Sequence, residues 1–469
     1  MSTTEKPAAP SRPGPVDMVH HTHLSGVFTP QRDEVDVHGL HVEGELPPDL
    51  SGEYLRNGPN PRFDPIGTYV YPIDGDAMVH RIGIRDGAVS YSNRFVRTPM
   101  VVAEEEAGHA IWAGVMDPYT PSADEVGPEL AGKARDLPDI NVVRHGGRLL
   151  AMAEAAQPYR LDPSDLSTLG PDSCSGAMPI GSTAHPKIDP VTGEMVLFNY
   201  LLEAPYLTWS VVAADGSVTR PPTVVDGVDV PLMIHDMALT RRYIVLFLCP
   251  LVFDIEALLR GGSVLDWRPD AGVRIALIPR DGGRVRWCST EAFWVWHFAN
   301  AFDMSDGKVA VDYAEWSFPG GFTAQEHEPR GAMVRAVLDP DEGTISRTVV
   351  SDRNVEFPRI DDRQTCGDHR YAATLGVHTG REGIFDSLLF FDMHAGSATE
   401  WRAGSLAVGE PIYMPGAERD YWGMIGTDRD DMTSWFVILP VEDPSSGPLC
   451  RVQMPLRVPS GLHGSWLPD

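Results

Sequence analysis

Apolar positions along the chain fall in short runs bounded by turn residues. Ala77–Ile84 (AMVHRIGI), Glu194–Tyr200 (EMVLFNY), Tyr243–Leu248 (YIVLFL), Val273–Ile278 (VRIALI) and Ser434–Leu439 (SWFVIL) each read as a strand. Asp-Gly pairs at Asp86-Gly87, Asp215-Gly216, Asp226-Gly227, Asp281-Gly282 and Asp306-Gly307 lie beside strand-like sequence. A tight hairpin needs positive φ there, and Gly supplies it without steric cost. Candidate helices are few and short, such as Asp254–Leu259 (DIEALL). The pattern therefore predicts an all-β chain. Many hairpins with no internal linker suit a β-propeller, which leaves only short edges through radial repetition. No blade repeat is visible in the residues themselves. Residues 1–35, rich in Pro, Ser and Thr, predict a flexible arm ahead of a single domain at 36–469.

Composition agrees with many turns: there are 45 Gly and 41 Pro in 469 residues. At 42% hydrophobic and 22% charged, the chain has the makeup of a globular protein. Its 38 basic and 66 acidic residues leave a formal charge of −28. Such a surface repels phosphate, which argues against nucleic-acid binding and against long-range attraction to anionic lipid. The longest nearly apolar stretch, Tyr243–Phe253, contains Pro250 and is too short to span a bilayer, so membrane contact is at most peripheral. The opening MSTTEKPAAPSRPGPVD lacks the apolar core of a secretory signal. Cys174, Cys249, Cys288, Cys366 and Cys450 are scattered without a Cys-x-x-Cys pair, the usage of reduced thiols in a cytoplasm.

Four histidines share a setting at the edge of an apolar segment: His185 (STAHPKIDP), His235 (MIHDMAL), His297 (WVWHFANAF) and His463 (GLHGSWLP). Their separations of 50, 62 and 166 residues match no local metal motif. A propeller changes the geometry, because successive blades aim inner strands at one axis where distant residues converge. Four neutral imidazoles there would suit iron, copper or zinc. Glu154, Glu356 and Glu410 also lie in apolar surroundings. Each is either a loop acid or the acceptor of a ligating histidine's Nδ1–H. His20, His21 and His23, at the end of the arm, read as incidental surface residues. There is no Gly-x-Ser-x-Gly elbow, phosphate loop or dinucleotide fingerprint. Phe293, Trp294, Trp296, Phe298 and Phe302 crowd around His297 and read mainly as core packing.

Read in order, Gly52–Pro61 (GEYLRNGPNP), Asp74–His80 (DGDAMVH), Asn93–Thr98 (NRFVRT), Ala184–Glu194 (AHPKIDPVTGE), Ile234–Leu239 (IHDMAL), His297–Ala301 (HFANA), Glu356–Ile360 (EFPRI), Glu410–Pro415 (EPIYMP) and Leu462–Trp466 (LHGSW) resemble the carotenoid cleavage oxygenase family. That family includes carotenoid and apocarotenoid dioxygenases, stilbene-cleaving dioxygenases and the retinoid isomerohydrolase. The resemblance implies a seven-bladed β-propeller with a dome of loops and short helices over an axial metal site. It implies iron(II) held by His185, His235, His297 and His463. Glu154 would support His235, Glu356 would support His297, and Glu410 would support His463, leaving His185 without a carboxylate. The implied reaction consumes one O2, splits a C=C bond of a small apolar conjugated substrate into two carbonyls, and needs no external reductant.

Departures from the family pattern bear on the substrate. Many members carry an Asn-Thr pair where this chain has Asp139 and Ile140, fifteen and fourteen residues before Glu154. Stilbene-cleaving members usually place a Lys before that Glu and a Tyr in the segment matching NRFVRT; both grip a phenol oxygen. The matching positions here are Ala153 and Phe95. Ile140, Phe95 and Ala153 are therefore candidate pocket positions, all apolar, which ranks a carotenoid or apocarotenoid above a hydroxystilbene or phenylpropene. Isomerase or ester-cleaving chemistry at the same iron, and a non-catalytic propeller, are the other readings. Leu251, Val252 and Phe253 are either a membrane-docking patch or core strand.

Overall fold

The computed structural model of the chain describes residues 11–117, 119–154, 156–181, 183–260, 262–320, 329–379 and 384–469. Seven antiparallel sheets follow one another along the sequence, with one extra two-stranded ribbon, and make a seven-bladed propeller. Blade 1 joins Asp36–His38, Gly52–Arg56, Met78–Arg85 and Ala88–Phe95 to the C-terminal strand Gly464–Pro468. Blade 2 runs from Asn141–His145 to Thr168–Pro171, and blade 3 from Lys187–Ile188 to Val218–Val224. Blade 4 runs from Ala238–Leu239 to Arg286–Thr290, blade 5 from Trp294–Asp303 to Thr344–Ser351, and blade 6 from Val355–Ile360 to Ser397–Arg402. Blade 7 runs from Leu406–Val408 to Cys450–Gln453 and borrows Val42–Gly44 from the N-terminal region.

The ring closes twice. Gly464–Pro468 pairs with Gly52–Arg56, and Val42–Gly44 pairs with Cys450–Gln453, so neither terminal blade exposes a long edge. Middle strands are sandwiched between neighbouring blades and buried on both faces: in Tyr243–Leu248 only Tyr243 is not fully buried. That is why their sequence reads as a continuous apolar run rather than an alternation. Outer strands such as Thr344–Ser351 are largely solvent-facing and polar.

Four of the five Asp-Gly pairs close hairpins between consecutive strands; at the first, Asp86 has φ +51° and Gly87 φ +72°. Asp226-Gly227 does not. It lies beyond Val218–Val224 in the connection from blade 3 to blade 4, where the turn redirects the chain without pairing strands. The helices are few: Pro99–Ala107 and Ala123–Val126 lie between blades 1 and 2, and Ile255–Leu259 lies within blade 4. Pro99–Ala107 starts on the Thr98 side chain, which accepts from the Val101 amide, and stops at Gly108 with φ +75°. No helix among the described residues is long and apolar enough to cross a membrane.

The segment expected to be a flexible arm is tied down over its described part, residues 11–35. Arg12 donates to the Ala110 carbonyl at 2.7 Å, the Val16 amide to Pro65 at 2.8 Å, and His23 stacks on Tyr71 with ring centroids 5.0 Å apart. Residues 1–10 of that segment lie outside the described residues. Leu251 and Val252 are buried core residues paired with Trp267 and Asp266, and Phe253, half-buried, pairs with Leu265. All five cysteines are buried and unpaired.

Candidate metal centre

The innermost strands of the seven blades begin at the axis, and each start carries a residue of interest. His463 immediately precedes Gly464–Pro468, Ile140 precedes Asn141–His145, His185 precedes Lys187–Ile188, and His235 precedes Ala238–Leu239. His297 and Glu356 lie within Trp294–Asp303 and Val355–Ile360, and Glu410 precedes Ile412–Pro415. The propeller thereby gathers residues that sequence spacing keeps apart. One ligating nitrogen from each of His185, His235, His297 and His463 lies within 4.8 Å of the others.

Local distortions aim the side chains. The pairing of Trp294–Asp303 with Val309–Trp316 slips between Val295 and Phe298, putting His297 in a bulge. A second slip lies between Glu356 and Arg359, where Phe357 takes φ +52°. Asp236 ties three of the histidine-bearing segments together. Its carboxylate accepts from Lys187 at 2.8 Å, from the Met237 amide at 2.7 Å and from the Phe298 amide at 2.8 Å.

Three imidazoles meet a carboxylate through Nδ1: His235 meets Glu154, His297 meets Glu356 at 2.5 Å, and His463 meets Glu410 at 2.9 Å. Among the described residues no carboxylate pairs with His185. Other donors also hold the carboxylates. Tyr200 donates its hydroxyl to Glu154 at 2.8 Å, the Trp316 indole N–H reaches Glu356 at 3.0 Å, and Arg359 and the Gly464 amide reach Glu410 at 3.1 and 2.9 Å.

The electrostatics follow from burial and these partners. Burial, reinforced by the neighbouring imidazoles, holds His185 and His297 well below the ordinary imidazole range, so both are neutral. Burial pushes His235 down as well, but the Glu154 carboxylate outweighs it and leaves His235 raised. Burial pushes Glu356 up to about 8. It acts on Glu410 in the same sense, yet Arg359 and His463 overcome it and bring Glu410 to about 2.

This donor set fits a metal ion. A carboxylate on Nδ1 fixes the proton there and turns the Nε2 lone pair inward. The Nε2 atoms of His185 and His235 lie 3.1 Å apart, and those of His235 and His297 3.2 Å apart. Lone pairs that close repel one another without a cation between them. The spacing is that of adjacent nitrogen ligands on a first-row metal ion with bonds of about 2.1 Å.

Two environments adjoin the histidines. A cavity of about 380 Å³ is lined by His185, His297 and His463 and by polar side chains including Asn141, Asp236 and Arg359. Separately, Ile140, Ala153, Ala184 and Leu462 form a buried apolar cluster against which Tyr71 and Phe357 pack. Phe357 also stacks on His297 at 4.7 Å, and the Ile140 carbonyl accepts from the His463 amide. The structure thus brings Ile140 and Ala153 to the histidines. Phe95 is not part of that cluster: its buried ring lies under the Arg62 guanidinium, 5.0 Å from its centroid. Of the aromatics near His297, Phe293, Trp294 and Phe298 are core, while Trp296 packs edge-on against His235 at 5.0 Å. His20 pairs with Asp17 at the surface, and His21 meets the Tyr69 carbonyl at 3.1 Å. Sequence reasoning missed Tyr200, Trp316, Asp236 and Tyr71. A strand-end Tyr or Trp with a polar tip was the available signal for the first two.

The retinal pigment epithelial membrane protein family matches residues 28–468. The chain is 30% identical to isoeugenol monooxygenase of Pseudomonas nitroreducens over 95% of this chain and 98% of the other. It is 30% identical to carotenoid 9,10(9',10')-cleavage dioxygenase 1 of Arabidopsis thaliana, over 95% and 90%. The crystal structure of Pseudomonas brassicacearum lignostilbene dioxygenase superposes with a TM-score of 0.85 at 28% identity, covering 98% of this chain and all of the other.

Proposed function

This chain belongs to the carotenoid cleavage oxygenase family and is an oxidoreductase that cleaves carbon–carbon double bonds; from that premise we propose that it uses iron(II) to split one C=C bond of a carotenoid or apocarotenoid. One O2 is consumed and two carbonyl products form, so atoms and electrons balance without a reductant. The observation that carries the metal reading is the convergence of one ring nitrogen from each of four histidines, three of them backed by carboxylates. Iron(II) bound there would supply the binding and activation of O2. His185, His235, His297 and His463 would hold it, with Glu154, Glu356 and Glu410 fixing three of their tautomers.

The chain's own contribution to the reaction is placement and dryness. Ile140, Ala153, Ala184 and Leu462 offer an apolar wall beside His463 and exclude water from the reacting bond. Trp296 and Phe357 add flat faces next to His235 and His297, suited to a conjugated chain. Ala153 offers no cation to a phenol oxygen at this wall, which supports the polyene reading.

A second reading, cleavage of a stilbene or phenylpropene, is favoured by Tyr71, whose phenol packs against the same cluster. Incubating iron-loaded protein under 18O2 with β-carotene, an apocarotenal, resveratrol and isoeugenol, with products read by mass, separates the two. Aldehydes from a polyene, each labelled, support the first; labelled aldehydes from the phenolic alkenes alone support the second. No labelled product from any of the four would contradict both.

A further inference from the structure

Each of the three outer carboxylates has one oxygen against an imidazole Nδ1, and the other donors around the group differ from one to the next. Arg359 joins His463 on Oε1 of Glu410, and the Gly464 amide donates to Oε2. The Phe357 amide joins His297 on Oε2 of Glu356, and the Trp316 indole donates to Oε1. Glu154 has, among the described residues, the Tyr200 hydroxyl as its one donor besides the contact with His235.

Glu154 is also the least anchored by its surroundings. It lies between the strands Arg148–Met152 and Tyr159–Leu161 rather than inside one. Its side chain is 14% exposed, against 4% for Glu356 and 1% for Glu410. Water competes most where exposure is greatest, so a carboxylate there needs a fixed donor to keep one rotamer. Tyr200 is well placed to be that donor. It ends the strand Met195–Tyr200, its ring stacks on Phe253 with centroids 5.8 Å apart, and burial beside Glu154 keeps its hydroxyl protonated and therefore donating.

We propose that Tyr200 is a positioning residue for the metal centre: its hydroxyl locks Glu154 onto Nδ1 of His235 and thereby sets how tightly the four-histidine group holds its metal. This rests on the metal reading above, and it assigns to blade 3 a part in organising a ligand carried by blade 4. Removing an outer hydrogen bond of this kind typically lowers metal affinity by about 10- to 100-fold.

The test uses the full chain freed of metal and titrated with cobalt(II) against a competing chelator. Tyr200→Phe keeps the ring stack and removes only the hydroxyl. It should weaken cobalt affinity about tenfold, shift the visible cobalt spectrum, and leave the melting temperature of the metal-free protein unchanged. In a Glu154→Ala background the same substitution should have no further effect on affinity. An affinity within about twofold of the parent chain would overturn the proposal, as would an undiminished loss in the Glu154→Ala background. A fall in the metal-free melting temperature that accounts for the affinity loss would assign Tyr200 to the fold and overturn it too. Failure of the unsubstituted chain to bind cobalt at all would instead refute the metal reading beneath it.

Discussion

Nδ1 of His463 lies 2.9 Å from Oε1 of Glu410, and both side chains are almost fully enclosed, at 6% and 1% exposure. Glu410 also carries the charge that balances Arg359. Removing it leaves a largely buried guanidinium with, among the described residues, only the exposed Asp362 as carboxylate partner. Glu410→Ala should therefore destabilise the metal-free protein by about 3 kcal/mol, read from the midpoint of denaturant unfolding.

Glu356 behaves differently because burial pushes it up to about 8, so in the metal-free protein it is neutral near pH 7. Glu356→Gln preserves shape and neutrality. It should cost about 1 kcal/mol or less in the same unfolding experiment, while still weakening metal binding at His297.

The contrast between these two acids marks what the residues alone disclosed. The four histidines and three glutamates were legible through ordered motifs, though not through spacing, because only ring closure of the blades brings His185 and His463 together. Strand positions were legible where burial on both faces forces unbroken apolar runs, as in Tyr243–Leu248. Asp226-Gly227 misled because a turn dipeptide specifies local φ and is silent about whether two strands follow. Phe95 could be aligned to a strand from the residues alone, but not assigned its neighbour Arg62, because alignment does not say what a ring packs against. Tyr200 and Trp316 offered only a polar tip at a strand end, because their partners Glu154 and Glu356 lie on neighbouring blades.

Asp139 is buried beside Ile140, with one carboxylate oxygen lacking a hydrogen-bond partner. Burial, with Asp74 and Asp76 adding to it, raises it well above 3.8. The folded state thus keeps a proton that the unfolded chain releases above about pH 4, and stability is lost as pH rises from there. Asp139→Asn removes the ionisation. Its melting temperature should fall less between pH 5 and 8 than that of the parent chain, and equal slopes would count against the assignment.

Tyr71 separates the two substrate readings at a single atom. Under the polyene reading, Tyr71→Phe changes cleavage of a carotenoid or apocarotenoid by less than about twofold. Under the phenolic reading, losing one hydrogen bond to substrate lowers kcat/KM on isoeugenol or resveratrol by about tenfold. Steady-state rates on one substrate of each kind decide between them.

Metal binding should also report on the fold. A ligand that binds only the folded state stabilises it in proportion to its saturation, by about 4 kcal/mol at a thousand times Kd. Iron(II) added anaerobically should raise the melting temperature of chelator-treated protein, and His235→Ala should abolish that rise.

The central claim is that His185, His235, His297 and His463 together hold one metal ion. Iron content per chain, measured after anaerobic reconstitution and desalting for the unsubstituted chain and His297→Ala in parallel, tests it most directly. The account predicts about one iron per chain for the first and close to none for the second. An unsubstituted chain that retains no stoichiometric iron, or a His297→Ala variant that retains it in full, would contradict the account.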